Sequence, residues 1–211
     1  ASAYAHSVNR DWESDKDLGD KAGKGCKDIA DQLVNWPAGD GFEIALGGGR
    51  SKFLPAETAD PENDGKTGER KDKRDLTQEW VAKGNNHAFV YDKAGLDRLD
   101  MKSAPKVLGL FETSHMKYEA DRGKDKNGEP SLAEMTAKAI ERLQQNQDGY
   151  VLMVEGGRID HAHHDTNAAR ALEDAVAFDA AVKTALEKTS RDDTLIVVTA
   201  DQSHTMTMSG Y

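Results

Sequence analysis

Apolar residues in this chain are gathered into short runs separated by long polar stretches, and the spacing within the runs alternates between helical and strand periods. Residues 1–35 read as helical segments: Ala3, Tyr4, Ser7 and Val8 fall at helical spacing, and after a polar, Gly-containing break a second segment around Lys27 to Asn35 places Ile29, Leu33 and Val34 on one side. Phe42 to Leu46 predicts a short buried strand that Gly47, Gly48 and Gly49 terminate. Leu76 to Ala82 predicts a helix, Ala88 to Tyr91 a strand, and Val107 to Phe111 a strand of the continuously apolar kind buried on both faces of a parallel sheet. Ser131 with Glu134 forms a capping box, opening a helix with Leu132, Met135, Ala139 and Leu143 on one face. Tyr150 to Val154 and Thr194 to Thr199 predict two further strands. Between them, residues 166–188 predict a long helix with Leu172, Ala175, Val176, Val182 and Leu186 inward.

Two stretches break this rhythm. Residues 55–74 are dense in Asp, Glu, Lys, Gly and Pro and predict a polar surface excursion without core packing, and residues 112–130 predict a second polar excursion. Strands alternating with helices specify an α/β fold, a mostly parallel sheet with helices on both faces and right-handed crossovers. No internal repeat is visible, so residues 1–211 are expected to form one partial α/β domain.

Composition sharpens the picture in three ways. Lys and Arg number 28 against 38 Asp and Glu, a net charge of −10, which argues against a nucleic-acid-binding surface or an anionic membrane surface. No apolar run approaches the roughly 18 residues a membrane-spanning helix needs, and no signal peptide is visible, so the chain is expected to be soluble. Cys26 is the sole cysteine, which excludes an internal disulfide and a cysteine-based zinc finger. The chain starts without Met and stops at MSGY, and is expected to be a segment of something longer.

In an open parallel sheet, ligands bind beyond the carboxyl ends of the strands. There the YVLMV run ends in Glu155, Gly156 and Gly157 permit a sharp turn, and Asp160, His161, His163 and His164 follow. Asp160 and His164 are four apart and share one face of a helical turn, and a carboxylate with an imidazole suits zinc. The TLIVV run leads likewise into Asp201, Gln202 and His204. Carboxylates gathered on one dry edge would repel one another and protonate unless a cation lay between them. The LGGGR run lacks the Lys and Ser or Thr of a P-loop and reads as a tight strand-end turn, while Arg10 taken alone reads as a solvated charge.

VEGGRIDHAHH and VTADQSHT closely resemble segments of the alkaline phosphatase family, as do AHSVNRDW, GCKDIADQL, ALGGGR, LTQEWVAKG, LGLFE with MKYE, and SLAEMT, in the same order along essentially the whole chain. The likeness is nearer to the vertebrate-like branch, shared by some marine and halophilic bacteria, than to the enteric type. The resemblance implies phosphate monoester hydrolysis through a phosphoserine, with two zincs and one magnesium. It implies that Glu155 binds magnesium, that Asp160 and His164 bind the first zinc and that Asp201 binds the second. His161, His163 and His204 match positions near the metals that are not primary ligands. Arg10 matches the arginine that grips two phosphate oxygens, a task suited to its planar fork. Gln202 stands where the family has a zinc-binding histidine, which puts the second zinc in doubt. A calcium site is implied at Glu62, Phe111, Glu112 and Glu129, oxygen ligands of the kind calcium prefers. The serine nucleophile and the disulfide partner matched to Cys26 lie upstream of this chain in the family.

Substrates implied by the resemblance are small phosphate monoesters, with inorganic phosphate as product. The location implied is periplasmic or extracellular, and a homodimer is expected of the full-length protein. Three readings compete with the hydrolase. One is a catalytically inert metal-binding fragment; the others are a related metal-dependent phosphodiesterase or sulfatase, and Cys26 followed by Lys27, Asp28 and Ile29 lacks the sulfatase Cys-x-Pro-x-Arg pattern.

Overall fold

The computed structural model describes residues 4–103 and 105–204, and these divide into two compact units. The first comprises Ala1–Met116 with Lys124–Pro130, the second Lys117–Gly123 with Ser131–Tyr211.

In the first unit the elements are α1 (Asp15–Leu18), α2 (Ile29–Val34), β1 (Ile44–Gly47), α3 (Leu76–Ala82), β2 (His87–Val90), α4 (Lys93–Arg98) and β3 (Lys106–Leu110). Asp28 caps α2 by accepting from the Asp31 N–H, and Asp75 caps α3 by accepting from the Thr77 and Gln78 N–H groups. The three strands form a parallel sheet in the order β1-β3-β2, with Ile44 opposite Val107 and His87 opposite Lys106. All five residues of the central strand β3 are buried, as its unbroken apolar run requires. Ala30, Val34, Phe53, Leu76, Trp80, Leu108 and Leu110 form the core on this sheet, and the Trp80 indole donates to the Ala88 carbonyl.

The structure departs from the sequence reading at three places in this unit. Among the described residues no helix covers Tyr4 to Val8, and Ala3 lies outside them; Val8 is exposed, whereas Tyr4 packs edge-on to Trp36 and Phe42. Helix α4 went unforeseen, because Gly95 within KAGLDR lowers helix propensity, but Asp92 caps it through the Gly95 N–H. The excursion at 55–74 does enter the interior, using charge in place of apolar area. Arg50 is fully buried and pairs with Asp60 at 2.7 Å and Glu62 at 2.9 Å, and Arg70 is fully buried against Asp28 at 3.0 Å and Asp72 at 2.6 Å. Such groups tolerate burial only when each is paired.

The glycine run after β1 is a tight turn, as expected. Gly49 has φ +84°, and a Cβ on Gly48 would lie 2.1 Å from the Ser114 carbonyl oxygen, so neither position accepts a side chain.

The second unit holds α5 (Glu119–Arg122), α6 (Leu132–Leu143), α7 (Arg158–His164) and α8 (Ala168–Lys188). Ser131 and Glu134 make the capping box of α6 as predicted. The strands expected at Tyr150–Val154 and Thr194–Thr199 are absent: neither run joins a ladder, and Val151, Met153, Leu195 and Val197 are exposed. A strand exists only through pairing with a neighbour, and among the described residues neither run has one. The inward face expected of α8 is met only in part: Ala175 and Val182 are half-buried, Leu172, Val176 and Leu186 are exposed, and Ala171 and Ala181 are the buried positions.

Candidate functional site

Gly156 and Gly157 turn the chain out of the YVLMV run into α7, whose N-terminus has no side-chain cap. After His164 the chain bends at Thr166, which has φ 52°, an uncommon conformation for a β-branched residue, and Asn167 caps α8 by accepting from the Arg170 N–H. This short helix carries Asp160 and His164 on one face, one turn apart.

The segment following TLIVV comes back to that face. His204 Nε2 lies 2.5 Å from Asp160 Oδ1, Gln202 Nε2 donates to the same oxygen at 3.1 Å, and His164 Nε2 stands 3.5 Å from Asp160 Oδ2. His204 stacks on His163 at 5.2 Å and meets His164 edge-on at 4.7 Å. Asp160 is held below the ordinary aspartate range, first by its His204 hydrogen bond, with Gln202 and His164 adding and slight burial opposing. One ligand atom from each of Asp160, His164 and His204 lies within 4.8 Å of the others. One carboxylate with two imidazoles is a donor set that fits zinc.

His204 thus stands directly beside Asp160 and His164, its Nε2 on the Asp160 carboxylate. Gln202 reaches Asp160 through its amide nitrogen, a donor atom with no lone pair to offer a metal. Glu155 and Asp201 are exposed and outside the cluster. His161 accepts at Nδ1 from the Arg158 guanidinium at 2.9 Å. Arg10 is exposed, in a turn of the first unit.

A separate acidic cluster lies within the first unit, where Glu62, Glu112 and Asp125 bring one carboxylate oxygen each within 4.8 Å of one another. Arg50 donates to Glu62 Oε2, leaving Glu62 Oε1 and Asp125 Oδ2 buried without a hydrogen-bond partner. Burial, and then the Asp125 charge, push Glu62 above the ordinary glutamate range despite Arg50. Asn63 donates to Glu112 Oε1 at 2.8 Å, Phe111 is fully buried beside it, and Glu129 is buried but not part of the cluster. Orphaned carboxylate oxygens in an oxygen-only set fit a hard cation such as calcium. Asp125 escaped the sequence reading because Lys124 and Lys126 flank it, the pattern of a solvated charge run.

Comparison with known proteins adds an independent finding. The family model described as "Alkaline phosphatase" matches residues 1–211. The chain is 46% identical to the tissue-nonspecific isozyme of alkaline phosphatase from Gallus gallus, over all of this chain and 41% of that protein. It is 40% identical to a membrane-bound alkaline phosphatase of Bombyx mori, over all of this chain and 39% of that protein. Among solved structures, alkaline phosphatase from Thermus thermophilus superposes with a TM-score of 0.60 at 37% identity, covering 74% of this chain and 28% of that one. The chain thus spans about two fifths of the length of these relatives.

Proposed function

Because the chain belongs to the alkaline phosphatase family, we propose that the protein to which it contributes hydrolyses phosphate monoesters through a phosphoserine, the serine being supplied by a part of the protein outside this chain. The observation that carries the reading is the meeting of Asp160, His164 and His204 at the outlet of two apolar runs. Zinc held by Asp160 and His164, with His204 beside them, would supply a Lewis acid for a phosphoryl oxygen. His204 and Gln202 orient the Asp160 carboxylate by donating to it. Arg10 grips two phosphate oxygens through parallel N–H donors, strengthening its hold as charge develops on the transferring group.

Glu155 holds magnesium in this reading, and Asp201 a second zinc weakened by Gln202. Calcium is held by Glu62, the Phe111 carbonyl and Glu112, with Asp125 supplying a further carboxylate alongside Glu129. The substrates are small phosphate esters, the protein is a homodimer, and its location is periplasmic or extracellular; among the described residues no helix is long and apolar enough to cross a membrane.

A chromogenic phosphate ester tests the reading. The complete protein should turn it over, Asp160→Asn should lower kcat/KM by at least about a hundredfold, and the isolated 211-residue chain should be inactive. Full turnover in Asp160→Asn would remove the zinc assignment.

A further inference from the structure

Helix α7 packs against α8, and Ala162 is its one buried residue. It is also gripped by Tyr118, which stands just before α5 in the second unit and is itself buried. The Arg158 guanidinium lies over the Tyr118 ring at 3.7 Å from its centroid. Ala162 packs with the same ring in a buried cluster that Ala171 of α8 completes. Tyr118 also donates its hydroxyl to Asp165, which ends α7, at 2.9 Å. These three contacts sit at positions 158, 162 and 165. At about 100° per residue they form one narrow stripe of the helix, and Asp160 and His164 fall roughly opposite.

The other side of the clamp is fixed as well. The Arg170 guanidinium of α8 lies over the same ring at 4.7 Å, and Arg170 pairs with Asp121 of α5 at 2.6 Å. Two guanidinium groups on one ring draw on its negative face. Arg158 Nε has no hydrogen-bond partner, so this guanidinium relies on the ring and on its bond to His161.

We propose that Tyr118 is a positioning residue, gripping the back of α7 through Arg158, Ala162 and Asp165 so that Asp160 and His164 present their donor atoms at a fixed angle on the front. The inference rests on the reading that Asp160 and His164 hold a metal. Metal ligands depend on such support, and loss of an outer partner commonly weakens affinity by about ten- to a hundredfold.

The test uses the complete protein with Co2+ in place of its native metal, read by visible absorption and by the rate of metal loss to a chelator. Tyr118→Phe keeps the ring and should keep the wild-type bands. Tyr118→Leu should shift the bands and speed metal loss by about ten- to a hundredfold. Arg158→Gln, which leaves the ring in place, should shift the bands in the same sense and keeps the test open should Tyr118→Leu not fold. Leu143→Ala, which opens a cavity in α6 of the same unit, should lower Tm and leave the bands alone.

Unchanged bands and unchanged metal loss in both Tyr118→Leu and Arg158→Gln would overturn the proposal, as would Tyr118→Phe behaving like Tyr118→Leu, or Leu143→Ala shifting the bands as far as Tyr118→Leu does. If Asp160→Asn leaves the wild-type bands intact, the metal reading itself fails and takes this inference with it; bands lost in Asp160→Asn but kept in Tyr118→Leu would sink the positioning role alone.

Discussion

Arg70 shows how single side chains organise the polar excursion. It is fully buried, donates to both oxygens of the buried Asp28 and to both of Asp72, and its Nη1 also donates to the Lys52 carbonyl. Removing one member of a buried ion group leaves the others uncompensated, so Arg70→Met should destabilise the first unit by about 3–5 kcal/mol, read from the midpoint of urea unfolding. Asp72 links the same network to pH. Burial raises its pKa, but the Arg70 hydrogen bonds and the Arg74 backbone N–H outweigh that and hold it below the ordinary aspartate value of 3.8. Its stabilising contribution is therefore present above that value and lost as pH falls through it toward the depressed one. Unfolding free energy measured from pH 6 down to pH 2 should fall less steeply in Asp72→Asn than in the parent; parallel curves would contradict the pairing. None of this could be read from the sequence, where residues 55–74 show only an abundance of charge and no indication of which charges meet.

Among the elements, those whose signals are local were legible and those that need partners were not. Helix α3 runs from Leu76 to Ala82 as predicted because Asp75 caps it and Leu76 and Trp80 fall one turn apart on the core side. Helix α6 follows from its capping box, so Ser131→Ala should cost about 1 kcal/mol, with circular dichroism showing earlier melting and an unchanged folded spectrum. The runs YVLMV and TLIVV have strand composition, but among the described residues no neighbour pairs with them, and without a ladder composition alone does not make a strand. Their outlets nevertheless converge, since Gln202 and His204 reach Asp160. That meeting was thus legible from where the apolar runs end, although neither run forms a strand among the described residues.

Taken as a whole molecule, the chain spans 41% of the Gallus gallus relative and leaves a set of apolar side chains in solvent, with Val151 at 96% exposure, Leu195 at 88% and Val197 at 73%. Exposed apolar side chains of this sort, where they gather, promote association. The isolated chain should therefore bind a hydrophobic dye such as ANS, and Leu195→Lys with Val197→Lys should lower the fluorescence, whereas equal dye binding in parent and variant would show that these residues are covered. The family was legible from motifs spread along the full chain, because each keeps its residues in sequence order. Membership of the acidic cluster was legible only in part: Glu62 and Glu112 matched the family pattern, while Asp125 enters through the path of the loop. That α7 bears a metal site can be tested by anomalous diffraction at the zinc edge from zinc-loaded crystals. A peak should lie about 2.0–2.2 Å from an Asp160 carboxylate oxygen and a His164 ring nitrogen; zinc peaks found only elsewhere, with both side chains ordered and unligated, would contradict it.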